Sequence, residues 1–87
     1  MKMQLKKREL DLDVYGEIFK LEFPTALRMV AFMDEIRLII TGESKKTDYD
    51  LSIELLVECG LPEEKAKTLY GQDIQEVIAV LDGKKKI

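Results

Sequence analysis

The chain has no histidine, no tryptophan, one cysteine and two prolines. Without histidine there is no imidazole to serve as a general base, to activate a serine or cysteine nucleophile, or to complete a histidine-containing metal site. The lone Cys59 has no partner for an internal disulfide, which fits a reducing compartment. It lies in LLVECG, among aliphatic residues before an expected helix end, where a buried thiol is inert rather than nucleophilic. No glycine-rich phosphate loop, Walker sequence or calcium-loop spacing occurs. The expectation is a protein that is not an enzyme, with no catalytic residue, no metal ligands and no cofactor. Long apolar runs are missing too: none is longer than the five residues of Met29 to Met33, far too short to span a bilayer. The opening MKMQLKKREL is basic but lacks the apolar segment of a secretory signal. A cytoplasmic location follows as the expectation, with no membrane partner.

What remains is charge and aliphatic side chains. Of 87 residues, 46% are hydrophobic and 36% charged, with a net charge of −3, the composition of a soluble folded chain. This length has room for one domain, spanning 1–87, and a chain of this size removes only about 60 to 65% of its extended surface from water on folding. The core is therefore expected to be thin and open to completion by partners. Basic residues gather at the ends, in Lys6 to Arg8 and Lys84 to Lys86, with no aromatic or Gly/Arg pattern beside them. They read as solvated termini rather than a nucleic-acid surface. Lys84 to Lys86 also follow a helix end, where positive charge complements the helix dipole.

Two hydrophobic rhythms stand back to back between Leu10 and Ile36. Leu10, Leu12 and Val14 alternate with Asp11 and Asp13, and Phe19, Leu21 and Phe23 alternate with Lys20 and Glu22. This is the period of two strands buried on one face. With Tyr15 and Gly16 as the central turn residues, Val14 faces Glu17, Leu12 faces Phe19 and Leu10 faces Leu21. Tyrosine is unusual at the first turn position, so a longer loop or a one-residue slip stays open. A lone hairpin is marginal in water and has to pack on helices or pair with another chain.

Pro24 ends the second strand and Thr25 caps a helix that runs to Gly42. At 100° per residue, Ala26, Met29, Val30, Phe32, Met33, Ile36, Ile39 and Ile40 share a broad arc, the expected core face. Leu27, Ala31 and Leu38 form a narrower second stripe, set off by Arg28 and Glu35 on one flank and Asp34 on the other. Two readings of that stripe stand: a helix sandwiched inside a monomer, or a subunit contact. GESKKTDYD is a polar connection, after which Asp48 or Asp50 caps LSIELLVEC. There Leu51, Leu55, Leu56 and Cys59 lie on one side, widened by Ile53 and Val57. LPEEKAKTLYG follows, with Pro62 in the first turn and Leu61, Ala66, Leu69 and Tyr70 inward. Asp73 then caps IQEVIAVLDG, with Ile74, Val77, Ile78 and Leu81 at helical spacing before Gly83. The expected fold class is α+β, mostly helical. It comprises a frayed segment over 1–9, a hairpin over 10–23, a central helix over 25–41, a bundle of about three short helices over 50–82 and a basic tail over 83–87.

The order of YGEIFKLEFPT, a central helix, and a closing GLPEEKAKTLYGQDIQEVIAVL resembles the small tail assembly chaperones of long-tailed bacteriophages. The resemblance covers most of the chain as an arrangement. It implies a phage or prophage protein that oligomerises and holds the helical tape measure protein soluble in the host cytoplasm. Tail-tube subunits displace it as they polymerise, so it is absent from the mature virion. The family also makes a longer product by ribosomal frameshifting near the end of the short one, with which GKKKI is compatible. On this reading Leu27, Ala31 and Leu38 mediate self-association, with the hairpin edge as a second contact through strand pairing. Met29, Met33 and Ile36 line a groove for the client, flexible methionines suiting an unselective apolar contact; core filling is the other role open to them. A compact helical module that binds peptides or ubiquitin-like domains, or a structural tail protein, are the alternatives. A DNA reader would need a basic helix face, and QDIQEVIAVLD is acidic.

Overall fold

A computed structural model describes residues 1–86, and the order is two strands followed by four helices: β1 (Glu9–Val14), β2 (Glu17–Glu22), α1 (Ala26–Ile40), α2 (Asp48–Glu58), α3 (Glu63–Ala66) and α4 (Gly71–Leu81). The fold is α+β, an N-terminal antiparallel hairpin followed by helices. The basic tail ends at Ile87, which lies outside the described residues.

The hairpin forms in the register that the alternation requires, with Leu10 opposite Leu21, Leu12 opposite Phe19 and Val14 opposite Glu17. Tyr15 and Gly16 have φ of 52° and 96°, the two positive values that a tight two-residue hairpin turn demands. Tyrosine is held in that costly conformation by contacts on both sides. The Asp13 carboxylate accepts from the Gly16 amide at 2.8 Å, the Tyr15 hydroxyl donates to the Thr68 carbonyl at 3.3 Å, and the Tyr15 ring meets Tyr70 edge-on at 6.2 Å. Tyr70 is thus an exposed surface residue rather than an inward one.

The helix at the centre of the molecule is α2, not α1. It packs against α1, α3 and α4, and it carries Leu51, Ile53, Leu55 and Leu56 into the core, with Cys59 just beyond its end. Leu21, Leu55, Leu56 and Leu61 are the largest fully buried side chains. Each such leucine contributes roughly 1.5–3 kcal/mol relative to an exposed one. Val57, expected to widen this face, is exposed instead. The corner after α2 closes on the hairpin: the Glu22 amide donates to the Cys59 carbonyl at 2.8 Å, and Gly60, at φ 118°, brings its backbone against the Lys20 carbonyl. The outer edge of β2 is thereby covered at Lys20 and Glu22, while Ile18 stays exposed.

Three helix starts differ from expectation. Thr47, rather than Asp48 or Asp50, caps α2: its hydroxyl accepts from the Asp50 amide at 3.1 Å, and the Asp50 carboxylate accepts from the Thr47 amide at 3.2 Å. This reciprocal pair satisfies two free amides at once, which a lone aspartate cap does not. α3 is a single turn, with Pro62 preceding rather than opening it; past its end the Thr68 hydroxyl donates back to the Lys65 carbonyl at 2.7 Å. α4 starts at Gly71, so Asp73 sits inside the first turn, where its charge faces the positive end of the helix dipole. Ile74, Val77 and Leu81 are buried as the spacing predicts.

Candidate interaction surface

Among the described residues no group of three or more Cys, Asp and Glu side chains is placed to hold a metal ion, and no helix is long and apolar enough to cross a membrane. Burial raises the Cys59 thiol above its ordinary value, with the Glu58 carboxylate adding to the effect, so it stays protonated and unreactive. Apolar surface is what the structure concentrates, and it does so on α1.

α1 begins with a Thr25 cap, whose hydroxyl accepts from the Arg28 amide at 3.2 Å, and ends at Thr41 and Gly42. One side of the helix faces the core through Met29 and Phe32, with Met33, Ile36 and Ile39 partly covered. The opposite side is open. Leu27 is 80% exposed, Val30 57% and Leu38 42%, and Ala31 is exposed between them. The predicted trio of Leu27, Ala31 and Leu38 therefore stands together on one solvent-facing stripe, and Val30 joins it.

The expected core arc is narrower than eight residues. Ala26 and Val30 fall outside it and are exposed, because the rest of the chain covers α1 on one side only, and Ile40, on the covered side, is exposed as the last residue of the helix. The helix is not sandwiched. The client groove assigned to Met29, Met33 and Ile36 is corrected by the same geometry. Met29 is buried in the core, and Met33 and Ile36 pack against it half-buried.

Sequence reasoning missed a different groove. Arg28, Ala31 and Glu35 of α1 face Ile53, Glu54, Val57 and Glu58 of α2 across an open cleft of about 670 Å³. Its floor is apolar (Ala31, Ile53, Val57) and its rim is charged. Arg28 donates to the Glu58 carboxylate and so ties α1 to α2, while Lys46 donates to Glu54 at 2.9 Å. Donating to Glu58 raises the Arg28 pKa further, and donating to Glu54 raises that of Lys46, so both rim cations are fixed as charges. Glu35 enters no ion pair among the described residues, which leaves the cleft mouth acidic. The signal available in the sequence was Val57 itself, an aliphatic residue one step outside the strongest stripe of α2; that it is exposed beside the buried Ile53 is visible only in the structure.

No family model, curated protein or solved structure matches this chain. The functional reading therefore stands on the chain's own residues.

Proposed function

We propose that this protein is a non-enzymatic assembly chaperone of the phage-tail type, which self-associates through the open face of α1 and, so assembled, holds an apolar helical client in solution. The observation that carries the reading is the stripe of Leu27, Val30, Ala31 and Leu38, turned to solvent on the longest helix of a thin molecule. Contiguous exposed apolar surface of this kind marks an interaction site. Leu27, Ala31, Asp34 and Leu38 follow at steps of four, three and four, the seam spacing of helix-on-helix packing. Asp34 interrupts that seam and is held by Arg37 at 3.3 Å. A charge inside an apolar seam limits its strength, which suits a contact that has to release.

The resemblance drawn from the sequence names the client as the tape measure protein, whose apolar helix faces need cover until tail-tube subunits replace the chaperone. The protein then acts in the host cytoplasm and leaves before the virion matures. Co-expression with the tape measure protein encoded beside it tests this directly. The expected outcome is a several-fold rise in soluble client that co-purifies with multiple copies of this chain. A client that aggregates regardless would overturn the assignment.

The cleft between α1 and α2 favours a second reading, a monomeric module that seats a basic amphipathic peptide. Its apolar floor and acidic mouth fit such a ligand. A chain that stays monomeric and binds basic helical peptides in a salt-dependent manner would favour the module over the chaperone.

A further inference from the structure

We propose that two copies of this chain lay α1 against α1 in antiparallel, about a two-fold axis level with the Phe32–Met33 peptide. Leu27 of each copy meets the partner's Leu38, and Glu35 of each pairs with the partner's Arg28. This pairing rests on the self-association read above and fixes its direction, register and ionic contact, so it can fail while that reading stands.

The direction follows from what the seam carries. At 100° per residue, Leu27, Ala31, Asp34 and Leu38 lie within about 60° of one another, with Arg28 and Glu35 along one flank and Val30 and Arg37 along the other. Met29 and Phe32 are on the opposite, buried side, so the body of each copy lies behind its helix and leaves the seam open to a second copy. In a parallel pair each seam residue meets its own counterpart. Two Asp34 carboxylates then share one layer, and Glu35 faces the partner's Val30. In an antiparallel pair like flanks face each other, and Asp34 falls opposite the partner's Ala31. That small side chain leaves the carboxylate room to keep its contact with Arg37 at 3.3 Å.

One antiparallel register uses all four seam residues of both copies. Leu27 meets the partner's Leu38 at each end, and Ala31 meets the partner's Asp34 in the two middle layers. A shift by one heptad in either direction leaves Leu27 or Leu38 bare. The same register brings Arg28 to within about 3 Å, measured along the axis, of the partner's Glu35. Symmetry makes that contact twice.

Both members of this ion pair have capacity to spare in the single chain. Glu35, half-buried at the cleft mouth, enters no ion pair among the described residues. Arg28 uses its Nε toward Glu58, and its two terminal nitrogens enter no hydrogen bond among the described residues, which leaves donors for a second carboxylate. The cleft between α1 and α2 is open beside Ala31 and gives the incoming carboxylate access. On the other flank the aliphatic stem of Arg37 covers the partner's Val30. A contact of this kind is isologous and closes on itself, so α1 builds a dimer and not a chain of copies.

Cysteine pairs measure direction and register. A Leu27→Cys chain mixed with a Leu38→Cys chain is expected to give a disulfide-linked heterodimer under mild oxidation, since Cys59 is buried and the second Leu27–Leu38 layer still holds the pair. Either chain alone is expected to give none, because like positions lie about 16 Å apart along the axis. Glu35→Arg breaks no ion pair of the single chain and sets cation against cation between copies. It is expected to raise the dissociation constant at least tenfold in sedimentation, with an unchanged helical CD spectrum, and Glu35→Gln to raise it less. A disulfide from Leu27→Cys alone would overturn the antiparallel direction. So would the lack of a mixed disulfide in a chain that sediments as a dimer and loses mass on Leu27→Glu/Leu38→Glu; in both cases self-association through α1 stands. An unaltered dissociation constant for Glu35→Arg would overturn the ion pair. A wild-type chain that sediments as a monomer at all concentrations would overturn the pairing and the self-association together.

Discussion

Gly60 shows how much of this molecule hangs on single backbone positions. It combines a φ of 118° with a Cβ position 3.2 Å from the Lys20 carbonyl, so a side chain there is both strained and crowded. Gly60→Ala is expected to lower stability by more than about 1 kcal/mol, read as a lower midpoint in urea with an unchanged slope. A change within experimental error would mean that the corner does not clamp the hairpin. At this scale some features were legible and others were not. Tyr15 and Gly16 could be placed in the turn because the alternation on either side fixes the register. The burial of Leu55 and Leu56 followed from helical spacing. Tyr70 was placed inward and is exposed, because its partner Tyr15 lies far along the chain and nothing local to Tyr70 reveals it.

Among the elements, α2 and α1 divide the labour. α2 is covered on several sides and carries the largest share of the helical contribution to the core; α1 is covered on one. Each begins with threonine, and the Thr47 cap exchanges hydrogen bonds with Asp50 in both directions. Thr47→Ala is expected to cost about 1 kcal/mol, seen as a lower thermal midpoint, whereas an unchanged midpoint would show that tertiary packing alone fixes the start of α2. The cap was misread because Asp48, Asp50 and Thr47 are all competent residues, and only the reciprocal geometry separates them. The two faces of α1 were both visible as apolar stripes. Which one is buried depends on what the other elements cover, and hydrophobic spacing along one helix does not contain that information.

The whole molecule is thin, 48 × 36 × 20 Å, with its longest helix bare on one side. The expectation of a thin core open to partners came from length alone, and it is at this scale that the account is most exposed to test. The central claim is that the bare face of α1 joins copies of the chain. Sedimentation of the wild-type chain against a Leu27→Glu/Leu38→Glu chain, each with its far-ultraviolet CD spectrum, measures it directly. The account predicts a lower solution mass for the double substitution with the helical spectrum intact, since both side chains are exposed in the single chain. An unchanged mass, or loss of the helical signal, would contradict it.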